Sequence, residues 1–196
     1  MPEAASLPLF PLHAVLVPGA ALELRIFERR YLDMIRDCSR VGGGFGVCLI
    51  LEGDEAGAPA TPAAFGAEAL IEDFDNTPEG LLSLHVRGHR RFHVLRTRVK
   101  DTGLVVADIE WREEGAASPR LRPEHALLAE LLRRMLEQIG GNHVDPSPAL
   151  FENAAWVGWR MAELLPLSML QRQELLQVDD PHARLQRLLE GIAETE

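Results

Sequence analysis

The stretch SLPLFPLHAVLVPGAALELRIFERRY, residues 6–31, decides the fold of this chain. It is strongly apolar, but Pro8, Pro11 and Pro18 interrupt it every few residues, and no Lys or Arg precedes Arg25. A secretory signal needs a basic start and an unbroken apolar run, and a membrane-spanning helix needs about 18 successive apolar residues. The sequence has neither pattern, so we expect a cytoplasmic protein without a membrane partner.

The same stretch predicts two strands joined by a turn. Pro8 lies between two leucines in SLPLF, residues 6–10, and suits an edge or rim strand because proline cannot donate to a ladder. Pro18-Gly19 is a turn signal. The run ALELRIF, residues 21–27, alternates apolar and polar side chains, which is typical of a half-buried strand.

The alternating pattern continues to residue 112 and predicts about six or seven strands with one short helix. The helical spacing of Tyr31, Ile35 and Cys38 predicts that helix, which ends at the glycines of residues 42–44. The sequence GHR at residues 88–90 separates two alternating runs and predicts a hairpin. The other predicted segments are a buried strand at 45–51, an exposed loop at 53–64, and strands at 66–76 and 104–111.

After residue 120 the apolar period changes from two to 3.6, which predicts helices. The first is predicted at 123–139 and ends at Gly140-Gly141-Asn142. Ser147-Pro148 begins the second, a capping box of Ser168 and Gln171 begins the third, and Asp180-Pro181 begins the fourth. The first helix is predicted to bury one stripe, namely Leu127, Leu128, Leu131, Leu132, Met135, Leu136 and Ile139.

Length and charge limit the class of protein. The two patterns predict an α+β chain, with a β-rich lobe at 6–116 and a helical lobe of about four helices at 121–196. The net charge of −10 disfavours nucleic acid and anionic membranes as partners. Cys38 and Cys48 fit neither a disulfide framework nor a metal site, so we expect buried free thiols. The oligomeric state is left open.

Three segments, in this order, resemble one bacterial family. They are the opening LPLFPLHAVLVPGAALELRIFERRY, the segment VRGHRRFHVL at 86–95, and the closing LPLSMLQRQELLQVDDPHARLQRLLEGI at 165–192. Together they are similar to the N-terminal substrate-binding domain of Lon proteases, which also occurs as a stand-alone protein. The resemblance covers nearly the whole chain and implies one domain over residues 1–196. It also implies a twisted, six-stranded pseudo-barrel similar to PUA domains, followed by a helical bundle.

The sequence contains no signature of catalysis. A phosphate-binding loop of the form GxxxxGK[ST] is absent, and the only lysine, Lys100, stands in RTRVKDTG, which is typical of a strand end rather than of a Ser–Lys protease pair. His85 and His93 would face each other across the predicted hairpin, but a third metal ligand is not evident. We therefore expect no enzyme activity, cofactor or metal.

The resemblance implies a polypeptide-binding module whose partners are polypeptide clients or a protease. Recognition would use the groove between the lobes or an edge strand, by strand addition or by side-chain pockets. The candidate binding residues are Phe10, Leu12, His13, Arg29 and Phe92, for most of which core packing or a solvated loop is the simpler interpretation.

Two further features leave alternatives open. Arg96, Arg98 and Lys100 fall on one strand face and could contact phosphates, which would make the β-rich lobe an RNA or small-molecule sensor. A solvated face paired with neighbours such as Asp108 is the simpler interpretation, and few aromatic residues are available to stack bases. Trp156 and Trp159 form either core between the lobes or an exposed patch that binds apolar polypeptide.

Overall fold

Six strands and one helix form the first part of the chain, as seen in a computed structural model that describes residues 4–114, 119–139 and 146–193. The elements are β1 (Ala4–Leu12), β2 (Ala21–Ile26), α1 (Arg29–Val41), β3 (Phe45–Glu52), β4 (Thr61–Asn76), β5 (Leu82–Val99) and β6 (Val105–Arg112). The contacts within the chain divide it into two compact units with the boundary between Arg112 and Glu113. We call them the β unit and the helical unit.

The six strands form one mixed sheet that closes on itself. The strand order is β2-β5-β4-β3-β1-β6, and β5 also pairs with β6. The pairing of β1 with β3 is parallel, whereas every other pairing is antiparallel. The ring therefore contains β5, β4, β3, β1 and β6, and β2 extends the first half of β5 outside it. The predicted six-stranded sheet and the α+β class are confirmed.

The hairpin predicted at residues 88–90 is wrong, because β5 is a single strand of 18 residues, Leu82–Val99. Its first half pairs with β2 and its second half with β6. Glycine is needed at position 88 because the backbone before β2 passes close to β5 there. The Gly88 amide donates to the Ala20 carbonyl at 2.8 Å, and the Gly88 carbonyl accepts from the Gly19 amide at 2.7 Å. A Cβ at this position would clash with the Val17 carbonyl oxygen.

The core of the β unit lies inside the closed sheet. It contains Leu7, Leu9, Cys48, Phe92, Val105, Ala107 and Ile109. The Phe92 ring fills the space over two glycines, because a Cβ at Gly46 or Gly66 would lie 2.7 or 2.6 Å from its Cζ. Helix α1 buries Tyr31 and Cys38 as expected and ends at Gly42, whose φ is +65°.

The predicted loop at 53–64 is shorter than expected, because β4 already begins at Thr61.

The helical unit contains α2 (Ala126–Ile139), α3 (Ala154–Leu164), α4 (Met169–Gln177) and α5 (Pro181–Ala193). The second predicted helix is divided: Pro148–Glu152 is a 3-10 turn, and extended Asn153 caps α3 by accepting from the Trp156 amide at 3.0 Å. The capping box of Ser168 and Gln171 is confirmed.

The apolar stripe predicted for α2 is partly wrong. Leu128 and Leu132 are buried, whereas Leu127 is 70% exposed and Ile139 is 49% exposed. The predicted stop at 140–142 lies outside the described residues. Across the described ranges, no helix combines the length and apolar character needed to cross a bilayer.

Candidate functional site

One concave feature of the β unit runs along β2. A cavity of about 350 Å³ is lined by five consecutive residues of this strand, Leu22–Ile26, and by residues of β1 and the start of α1. Successive side chains of a strand point to opposite faces. A cavity that contacts all five residues therefore follows the length of the strand.

This position matters because β2 is the terminal strand in the sheet order. Within the described residues β2 pairs only with β5, from Ala21↔Arg87 to Ile26↔Leu82. An edge strand presents alternate N–H and C=O groups away from its partner, and these can pair with another chain. The cavity lies along the strand that carries this edge, and we call the cavity and the edge together the β2 groove.

Apolar side chains form the buried side of the β2 groove. Phe10 and Leu12 at the end of β1, and Tyr31 in α1, are each less than 10% exposed. The Phe10 ring packs edge-on against Tyr31, with centroids 4.2 Å apart, and against Phe45, at 6.0 Å. Phe27, which directly follows β2, also lines the groove but is 61% exposed. The site therefore combines fixed buried rings with one exposed ring.

Acidic side chains also line the β2 groove and hold its loops in place. Glu55, in the loop before β4, accepts from the His13 amide at 2.7 Å. Glu28 accepts from Arg30 at 3.1 Å and from the Gly57 amide at 3.4 Å. These bonds connect the end of β1, the start of α1 and the loop at 53–60, which together shape one wall of the groove.

Glu23 accepts from the Ser83 hydroxyl at 2.9 Å across the β2–β5 pair.

Arg30 connects the start of α1 to the turn before β6. Its Nη1 donates to the Gly103 carbonyl at 3.0 Å, its Nη2 donates to Glu28, and its guanidinium lies 4.7 Å from the Tyr31 ring centroid. Burial raises the pKa of Tyr31, although the Arg30 charge opposes that shift. Tyr31 is therefore a neutral phenol at physiological pH and offers an apolar ring to the groove.

The predicted binding residues fall into different places. Phe10 and Leu12 line the β2 groove. His13 is exposed beside it and contributes its backbone amide to Glu55. Arg29 has a 92% exposed side chain with an ion pair of 3.8 Å to Asp33.

Phe92 is wholly buried in the core and stands edge-on to Trp111 at 6.3 Å. Its ring presents no surface to a ligand.

Trp156 and Trp159 have different surroundings within the helical unit. Trp159 is 4% exposed, its Nε1 donates to Glu114 at 2.9 Å, and the Arg184 guanidinium lies 3.6 Å from its ring centroid. Trp156 is half-buried and packs edge-on against Phe151 at 5.2 Å. Trp159 is therefore buried rather than displayed on a surface, with Glu114 and Arg184 of the helical unit against its ring.

The two arginines near the end of β5 are engaged by one carboxylate. Arg96 and Arg98 donate to opposite oxygens of Asp108, at 2.7 and 2.8 Å. These hydrogen bonds lower the pKa of Asp108, so the carboxylate stays ionised. Lys100 begins the turn into β6, where its amide donates to the Leu104 carbonyl at 2.9 Å. This arrangement reduces the charge that a phosphate backbone would meet and favours the solvated-face interpretation.

His85 and His93 do not face each other, as the predicted hairpin implied, because both lie on the single strand β5. His85 is opposite Glu23 and Asp73, and the His93 ring stacks on Phe65 with centroids 4.6 Å apart. His89 Nδ1 lies 3.1 Å from Glu68 Oε2. In the described residues, no group of three or more His, Cys, Asp or Glu side chains could hold a metal ion.

Cys38 and Cys48 are buried free thiols, as predicted. Burial raises the pKa of both, so neither is a reactive thiolate.

Sequence reasoning missed Phe27, Glu28 and Glu55. One signal was available for Phe27, because it directly follows Ile26 and so falls out of phase with the buried residues of β2. An apolar residue on the polar phase of a strand indicates surface apolar area. No local signal marks Glu55, because its partner, His13, is 42 residues away.

Comparisons with known proteins agree with the fold. A family model described as the ATP-dependent protease La (LON) substrate-binding domain matches residues 6–194. A solved structure described as the Lon N-terminal domain protein from Xanthomonas campestris is 55% identical, with a TM-score of 0.81, and the match covers 95% of this chain and 98% of that one. The chain therefore belongs to the Lon substrate-binding domain family, as its motifs indicated.

A more distant solved structure shares the fold alone. The N-terminal domain of the Mycobacterium avium complex Lon protease is 17% identical, with a TM-score of 0.68, over 95% of this chain and 97% of that one. The family match spans a substrate-binding domain, and it indicates no catalytic domain within residues 6–194.

Proposed function

We propose that this protein is a non-enzymatic polypeptide-binding module that takes up an extended, apolar segment in the β2 groove. The observation that supports this proposal most directly is the cavity along Leu22–Ile26, beside the edge of the sheet. The family to which the chain belongs is defined by substrate binding, and the substrates of a protease are polypeptides. The partners would be unfolded clients or a protease that shares them.

The mode of binding is strand addition. A segment in extended conformation rises about 3.3 Å per residue, so the five lining residues of β2 match about five residues of a client. Main-chain hydrogen bonds to β2 would supply affinity for any sequence, and the side chains that alternate toward Phe10 and Leu12 would select apolar residues. We also propose that the two lobes, residues 6–116 and 121–196, belong to one domain.

Amide hydrogen exchange followed by NMR tests this proposal directly. The probe is a soluble ten-residue peptide in which valine or leucine alternates with threonine or serine. A matched peptide has proline at two central positions, where it cannot donate to a ladder. We expect the first peptide to slow exchange at Leu22–Ile26 and the proline peptide to leave it unchanged. If millimolar peptide changes neither exchange nor chemical shifts in β2, strand addition is refuted.

A further inference from the structure

Acidic side chains outnumber basic ones among the residues that line the β2 groove. The carboxylates Glu23, Glu28 and Glu55 line it together with the guanidinium of Arg25. Arg30, outside the lining, pairs with Glu28, so Glu23 and Glu55 carry the acidic charge of the groove. The whole chain carries a net charge of −10, so the long-range field has the same sign as the groove. We propose that the β2 groove selects extended segments in which arginine or lysine stands beside apolar residues. This inference rests on the proposed function and names the class of segment.

The carboxylates retain capacity for a further donor. An ionised carboxylate has about four lone-pair sites. Glu23 accepts from the Ser83 hydroxyl at 2.9 Å, and Glu55 accepts from the His13 amide at 2.7 Å. Both residues are exposed, so an incoming cation reaches them without full loss of its hydration. These two side chains are therefore the ones that would pair with a bound arginine or lysine.

The exposed ring of Phe27 favours the same class of ligand. It is 61% exposed and lines the groove that the carboxylates line. An aromatic face attracts a guanidinium or ammonium group, and the aliphatic stem of arginine or lysine packs on apolar surface. A single basic side chain can thus use the ring and a carboxylate together, while the apolar neighbours in the segment face Phe10 and Leu12.

Three peptides with one apolar core test the charge preference. The core alternates valine and threonine, and its flanking positions are arginine, glutamine or glutamate. Fluorescence anisotropy at about 50 mM salt should show the arginine peptide binding about 10-fold more tightly than the glutamine peptide, and the glutamate peptide binding more weakly still. Raising the salt to about 500 mM should remove most of the difference, because exposed charges are screened.

The double variant Glu23→Gln/Glu55→Gln tests whether these two carboxylates cause the preference for the arginine peptide. Glutamine keeps a carbonyl oxygen that accepts from Ser83 and His13, so the fold is retained, as thermal unfolding would verify. The arginine preference, measured as the ratio of the Kd values of the glutamine and arginine peptides for the same variant, should fall to about 3-fold or less. The matched control Glu137→Gln removes an exposed charge on α2 and should leave the preference intact.

The outcomes separate the two proposals. If all three peptides bind equally, the charge preference is refuted and polypeptide binding stands. If the preference survives in the double variant, the β2 groove is not its source and the inference fails. If no peptide binds, both proposals fail together.

Discussion

The exposed ring of Phe27 gives the sharpest quantitative test of the β2 groove. A phenylalanine side chain can bury roughly 200 Å², and Phe27 is 61% exposed, which leaves about 120 Å² for a ligand to cover. If a bound segment covers half of this area, about 60 Å² of apolar surface leaves water. At about 25 cal/mol per Å² this contributes about 1.5 kcal/mol, which is roughly a 10-fold change in Kd.

The variant Phe27→Ser should therefore weaken binding of an apolar ten-residue peptide about 10-fold. Its matched control is Phe74→Ser, because Phe74 is also in the β unit and is 67% exposed, yet it does not line the groove. Both rings are mainly in solvent, so each substitution should change the free energy of unfolding by less than about 0.5 kcal/mol. Urea unfolding checks that expectation before any affinity is compared.

Isothermal titration calorimetry of the three proteins with one peptide measures the difference. The heat-capacity change of binding should also become less negative in Phe27→Ser, because less apolar surface is buried. If Phe27→Ser binds as tightly as the unaltered protein, or if Phe74→Ser is weakened equally, the peptide does not lie in the β2 groove. The geometric reasoning would then be wrong even if polypeptide binding itself were real.

Further substitutions test the packing within each unit and the titration of His182. Gly46→Ala and Phe92→Leu should each lower the free energy of unfolding by about 1–3 kcal/mol. The double variant should lose at least about 1 kcal/mol less than the sum of the two losses. The reason is that the nearest atoms to a Cβ at position 46 all belong to side chains, and one of them, Phe92 Cζ, is absent in Phe92→Leu. Gly66→Ala should show no such rescue in urea unfolding, because there the Cβ also clashes with a backbone oxygen. Arg184→Met should cost roughly 2–4 kcal/mol by the same assay, because it leaves a partly buried carboxylate without its guanidinium. Burial lowers the pKa of His182, so the imidazole is protonated more readily in the unfolded state than in the native state. The free energy of unfolding should therefore fall as the pH drops below about 6.5. In His182→Gln, the difference between the free energies of unfolding measured at pH 7.5 and at pH 5.5 should be smaller.

Local periodicity was sufficient to predict most of the elements. The alternation of ALELRIF predicts β2, and the spacing of Ser168 and Gln171 predicts the start of α4, because both patterns are set within one turn or one strand. The stripe predicted for α2 was too wide, since Leu127 is exposed although it has the same residue type as buried Leu128. The residue type sets a preference for burial, but the packing partners decide whether a given side chain is buried.

Long-range contacts account for what the sequence could not predict. Glycine at position 88 is typical of a turn, but its role is to let the backbone between β1 and β2 approach β5 closely. Phe10 and Leu12 could be named as candidates from their place in the opening motif, whereas Glu55 could not. Its position depends on a bond to the His13 amide across 42 residues, and no local pattern encodes that separation.

The charges on β2 also bear on how this edge strand is protected from pairing with a second copy. Natural sheets protect an edge strand by making it short and by placing charges on it. Strand β2 has six residues and carries exposed Glu23 and Arg25. In a chain of net charge −10, an acidic groove also repels a second copy of itself at long range. The same carboxylates would attract a cationic, apolar segment, so protection against self-pairing and selection of a client would use one set of side chains. Neutralising Glu23 and Glu55 should then have two effects with one cause, a loss of preference for arginine-flanked peptides and a gain in self-association at high protein concentration.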